Sequence, residues 1–189
     1  MSPENKPIIN ETREKILELE QKHDIKLSTM QKTLFSIEGQ IVTILDTLYG
    51  NVRLFIVDQK TIEADEDIAK KLDINEGDVV TLREVLIHKN GRPLIYGFSY
   101  IPQDRCSDTI IEKLLAEKST TGRIIVEHKI ETRTEVINLT VEKPSATLQS
   151  LFHTTEDMLS REYILIHKKN IVIWSKEIFP ISYFKDWVI

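Results

Sequence analysis

"TLREVLIHKNGRPLIYGFSYIP", Thr81 to Pro102, reads as two strands around an Asn90-Gly91 turn. That dipeptide suits a two-residue hairpin, whose central residues both take positive φ. A second stretch, "LSREYILIHKKNIVIWSKEIFP", ends at Pro180. Arg83 stands nineteen positions before Pro102, and Arg161 stands nineteen before Pro180, an offset of 78 residues. Either a strand pair is duplicated and lines one sheet, or two hairpins of equal length arose by chance. Two copies do not make a solenoid.

Outward from these hairpins, the chain alternates short helical and strand patterns. "ETREKILELEQKH" (11–23) has helical periodicity, with Ile16, Leu19 and Leu17 as its inward residues. Ser28 caps a short helix through Phe35, and Gly39 to Leu48 reads as another, stopped at Gly50. "VRLFIVDQK" (52–60) and "TRTEVINLTVEK" (132–143) are strands by their branched content. "DEDIAKKL" (65–72), residues 107–117 and Ala146 to Leu151 are helical, and "STTGRIIVEH" (119–128) is a turn leading into a short helix. Hairpin-linked strands with helices in separate blocks predict an α+β fold: a single domain, mostly antiparallel sheet, with helices packed around it. Residues 1–26 are a frayed tail and helix, and 27–189 form the domain.

Composition narrows the function. A net charge of −5 over 189 residues argues against nucleic acid or anionic membrane as partners. The start, "MSPENKPIIN", lacks the apolar core of a signal sequence, so a cytoplasmic protein with a small-molecule partner is expected. The single Cys106 cannot form an internal disulfide or a CxxC site, and a lone thiol beside Arg105 is more often incidental than reactive. The five histidines lack ligand spacing, and no GxxxxGK[ST], GxGxxG or GxSxG occurs. Neither metal nor nucleotide cofactor is expected.

Strand parity selects the candidate site residues. Arg83 shares a face with Val79, Thr81, Val85 and Ile87, and across the turn it falls near Phe98 and Tyr96. A guanidinium among such neighbours either pairs with a core-facing acid or meets a ligand carboxylate. Glu177 shares its face with Ile171, Ile173, Ser175 and Phe179. It is an acid/base group held out of water, an edge glutamate reaching solvent, or the partner of Arg83. Gly122 either presents backbone N–H groups at a helix start or punctuates a turn.

"LSTMQKTLFSIEGQIVTILDTL" (27–48), "VTLREVLIHKNGRPLIYGFSYIP" (80–102), "TGRIIVEHKIETRTEV" (121–136) and "LSREYILIHKKNIVIWSKEIFP" (159–180), in this order, resemble the chorismate pyruvate-lyase family, in its archaeal and mycobacterial branch. Residues 72–102 are also similar to the UTRA effector-binding domain of bacterial repressors, which shares that superfamily fold. Too little chain precedes the resemblance for a repressor's DNA-binding module. The resemblance implies a chorismate lyase-like fold, a product pocket closed from solvent, and a cofactor-free elimination that turns chorismate into 4-hydroxybenzoate and pyruvate. A non-enzymatic UTRA-like small-molecule-binding domain is the alternative. The family's carboxylate-binding arginine falls on Arg83 in "LREV", and its catalytic glutamate falls on Glu177 in "KEIFP". Its backbone contacts fall near Ile41 and on Thr121, beside Gly122. The second substrate carboxylate is left to Arg161 or Arg133, unless these form structural ion pairs. Three departures stand out: Phe98 where the ubiquinone-pathway enzymes carry a second arginine, Thr121 where leucine is usual, and "EGQIV" for "DGSVT".

Overall fold

Local signals account for most elements of the computed structural model, which describes residues 11–37, 41–105 and 129–185. Helix α1 (Glu11–His23) buries Ile16 and Leu19, whereas Leu17 turns outward and is 39% exposed. Helix α2 (Thr29–Ser36) begins with a capping box: Gln31 N–H donates to Ser28 Oγ, and Ser28 N–H donates to Gln31 Oε1. Helix α3 (Ile41–Tyr49) follows, then strand β1 (Arg53–Glu63) and helix α4 (Glu66–Leu72), capped by Asp65. Strands β2 (Val79–Lys89) and β3 (Arg92–Pro102) form the first hairpin. Strand β4 (Arg133–Glu142), helix α5 (Ala146–Phe152, capped by Ser145) and strands β5 (Met158–His167) and β6 (Asn170–Pro180) complete the order. The helix expected at 107–117 and the turn expected at 119–128 lie outside the described residues, as do Cys106, Thr121 and Gly122.

The six strands form one antiparallel sheet in the order β1-β2-β3-β6-β5-β4. Its halves, β1-α4-β2-β3 and β4-α5-β5-β6, repeat in detail. Each hairpin turns on two residues of positive φ, Asn90-Gly91 in one and Lys168-Lys169 in the other. Each hairpin carries one extra residue on its second strand, Leu94 and Val172. Each outer pair bulges as well, at Val57 and at Ile137. Helices α4 and α5 both end on a left-handed residue, Asp73 and His153. Shared bulges and caps at matching positions favour duplication over chance. The halves meet where β3 pairs with β6, about an axis through Phe98 and Lys176.

The hairpin bulge changes which side chains share a face. Without it, the Asn90-Gly91 turn sets Arg83 opposite Phe98; with Leu94 inserted, Arg83 pairs with Ser99. Phe98 and Tyr96 therefore point to the other side. The same insertion at Val172 moves Ile171 off the Glu177 face, and it packs instead with Ile166 near α4.

The two faces are covered differently. Leu34, Phe35, Ile41 and Leu45 from α2 and α3 pack with Ile87, Ile95, Leu159 and Phe179. On the opposite face, α4 packs against Val80, Ile164 and Trp174, and α5 against Tyr96, Met158 and Ile178. No helix among the described residues is long and apolar enough to cross a membrane.

Candidate active site

Paired residues in an antiparallel ladder point to the same face, so the registers lay out the face beneath α2. One row runs Arg83, Ser99, Ser175, Tyr163 across β2, β3, β6 and β5. The adjacent row runs Val85, Gly97, Glu177, Arg161. Two strand spacings, about 10 Å in all, separate Arg83 from Glu177 across the sheet. Gly97 lies between their strands, and a methyl group there would meet Val85 Cγ2 at 3.4 Å and Glu177 Cγ at 3.8 Å. The floor beside the carboxylate is thus bare backbone.

Glu177 is held from two sides. Arg161 Nε donates to its Oε2 at 2.7 Å, and the Tyr163 hydroxyl donates to its Oε1 at 3.2 Å. Of the alternatives for this glutamate, pairing with Arg83 gives way to pairing with Arg161, its direct neighbour across β5–β6. The Glu177 side chain is 12% exposed and that of Arg161 1%. Arg161 Nη1 also donates to the carbonyls of Leu34 (2.8 Å) and Ile37 (2.9 Å), which the end of α2 leaves without helical partners. Helix α2 is itself anchored: Gln31 Nε2 donates to the carbonyls of Ile181 and Tyr183 at 2.9 and 2.8 Å. The Ser28 cap therefore reaches the acid through α2 and Arg161.

Three further groups complete the cluster. The guanidinium of Arg161 lies 4.8 Å from the Tyr163 ring centre. Burial first, then the neighbouring Glu177 carboxylate, push the Tyr163 phenol well above its ordinary range, so it stays a donor. Tyr163 as a whole keeps some accessible surface, whereas the surroundings of its hydroxyl are desolvated. Ser99 Oγ and Ser175 Oγ lie 2.9 Å apart. Arg83 is 2% exposed, and burial pushes its guanidinium below its usual range.

Other expected residues fall elsewhere. Arg133 is exposed on the opposite face of β4 and pairs with Glu135 at 2.6 Å, so it does not join the cluster. Ile41 opens α3 with its side chain in the core, which leaves its backbone N–H as the group it could offer a ligand. Phe98 stacks among Tyr96, Tyr100 and Trp174, with ring centres 5.6–6.4 Å away, on the face away from Arg83. Substitution of arginine by phenylalanine there leaves the Arg83 face untouched. Tyr163 was not among the expected site residues, although it stands two positions from Arg161 and shares its parity. Two clefts lined by described residues, of about 460 and 360 Å³, contain none of Arg83, Arg161 and Glu177.

The family model described as "Chorismate pyruvate-lyase Rv2949c-like" matches residues 36–188. The chain belongs to this family. A relative from Methanocaldococcus jannaschii, named "Putative lyase MJ0807", is 27% identical over 158 residues, covering 80% of this chain and 78% of its own. Solved structures share the fold at lower identity. A GntR-family transcriptional regulator from Bacillus cereus matches with a TM-score of 0.58 and 18% identity, over 73% of this chain and 97% of that one. The C-terminal domain of a histidine utilization repressor from Pseudomonas syringae matches with a TM-score of 0.58 and 15% identity, over 69% and 92%. This chain and these regulators thus share one architecture, and the chemistry of this chain rests on its own side chains.

Proposed function

We propose that the protein is a lyase that eliminates pyruvate from chorismate and leaves 4-hydroxybenzoate. The observation that carries this reading is a carboxyl group, Glu177, clamped between Arg161 and Tyr163 on the face that also bears Arg83. Chorismate has a ring carboxylate and an enolpyruvyl carboxylate. Its elimination breaks the carbon–oxygen bond to the enolpyruvyl group and a carbon–hydrogen bond on the adjacent ring carbon. The carbon–hydrogen electron pair completes the aromatic ring, and the ether oxygen leaves with the enolpyruvyl group, which takes a proton at its methylene to become pyruvate. Arg83 binds a substrate carboxylate and Glu177 moves the proton. Arg161, whose Nε and Nη1 donors serve Glu177 and α2, is assigned to orienting the acid. Backbone N–H groups near Ile41 and at Thr121-Gly122 are assigned to the ligand by the family pattern alone. The chemistry needs no redox or Lewis-acid step.

The fold likeness to regulator domains supports a second reading, a UTRA-like domain that binds a small molecule without turning it over. One experiment separates the two. Purified protein, dialysed against a strong chelator, is incubated with chorismate while 4-hydroxybenzoate absorbance and pyruvate release are followed. Equal amounts of both products are expected. Binding of 4-hydroxybenzoate with neither product formed would establish the second reading, and loss of turnover restored by a divalent ion would contradict the metal-free mechanism.

A further inference from the structure

The internal repeat provides a built-in control for the site. Positions 85, 97 and 99 of the first half correspond to 163, 175 and 177 of the second, each by the offset of 78 that relates Arg83 to Arg161. The first half carries Val85, Gly97 and Ser99 there; the second carries Tyr163, Ser175 and Glu177. Both hairpins keep the same bulge and the same pairing, so the strand geometry does not require a tyrosine at this place. Yet the second half puts one beside the glutamate, with its hydroxyl on Glu177 Oε1 while Arg161 holds Oε2. Ser175 stands opposite Tyr163 across β5–β6, and its hydroxyl lies 2.9 Å from Ser99 Oγ and donates to the Phe98 carbonyl at 3.3 Å.

From this asymmetry we infer that Tyr163 is a positioning residue for Glu177: with Arg161 it fixes the carboxyl plane, and it does so from the row that contains Arg83. The inference rests on the lyase reading above. A carboxyl held by one donor can rotate about its terminal torsion; held by one donor on each oxygen, it presents its remaining lone pairs in one direction. That direction decides whether the ring proton is met in line.

The test uses Tyr163→Phe, which deletes the hydroxyl and keeps the ring under Arg161. Turnover of chorismate should fall roughly 10–100-fold, the scale of a misplaced catalytic group, with KM and 4-hydroxybenzoate affinity within about twofold of wild type. Because Tyr163 acts through Glu177, Tyr163→Phe added to Glu177→Gln should lower turnover no further than Glu177→Gln alone. Tyr163→Leu, which also lacks the hydroxyl, should lower turnover in the same direction and decides the matter if Tyr163→Phe does not fold. Wild-type turnover in the folded Tyr163→Phe variant, or a loss that multiplies with that of Glu177→Gln, overturns the inference and leaves the lyase reading standing. Absence of turnover in the wild-type protein overturns both.

Discussion

Two buried arginines occupy equivalent positions of the repeat, and their surroundings give them different work. Arg161 spends its donors on Glu177 and on two carbonyls at the end of α2. Replacing it with alanine leaves a nearly buried carboxylate and two carbonyls without their donor, so Arg161→Ala should destabilise the fold by about 3–5 kcal/mol in urea denaturation. Arg83, assigned to the substrate carboxylate, should behave otherwise. Arg83→Ala should raise KM by an amount equivalent to roughly 2–4 kcal/mol while the protein still folds. An Arg83→Ala variant with normal KM would remove that residue from the site, and one that fails to fold would make it structural. The inward placement of Arg83 and Glu177 was legible from alternation within single strands, whereas Arg161 was marked by its offset of 78 residues from Arg83. Tyr163 was equally legible by parity, but an aromatic residue on an apolar strand reads as core until its hydroxyl is seen to touch an acid.

Elements were legible where the sequence carries their own punctuation: Ser28 as a cap, Asn90-Gly91 as a turn. Register across the turn was not. A bulge adds one residue with no compositional mark, and Leu94 and Val172 look like ordinary strand residues. The insertion at Leu94 exchanged Phe98 for Ser99 opposite Arg83, and that at Val172 removed Ile171 from the Glu177 face. The second hairpin also hides its turn, because Lys168 and Lys169 take φ of 47° and 72° without a glycine. Non-glycine residues pay for left-handed backbone with roughly 1–2 kcal/mol each. Giving the second turn the residues of the first, Lys168→Asn with Lys169→Gly, should therefore raise stability by about 1 kcal/mol with turnover unchanged. A lower melting temperature in this double variant would contradict the two-residue turn.

Across the whole molecule, the repeat builds a symmetric sheet, and the N-terminal helices break its symmetry. Helix α2 lies over the Arg161 half and is tied to the C-terminal segment by Gln31, which is fully buried. Gln31→Ala should lower stability by roughly 2–3 kcal/mol, since two carbonyls and the Ser28 N–H lose their partner together. Unaltered urea denaturation of that variant would show that the tie does not hold α2. Duplication thus supplies two basic positions, and in the proposed reading one half elaborates Glu177 and Tyr163 into a site. The measurement that tests this account most directly is made on Glu177→Gln, which preserves size but cannot exchange a proton. Its chorismate turnover should fall by roughly 10²–10⁴-fold, with 4-hydroxybenzoate binding retained. Wild-type turnover in that variant would contradict the assignment of Glu177 as the proton-transferring group.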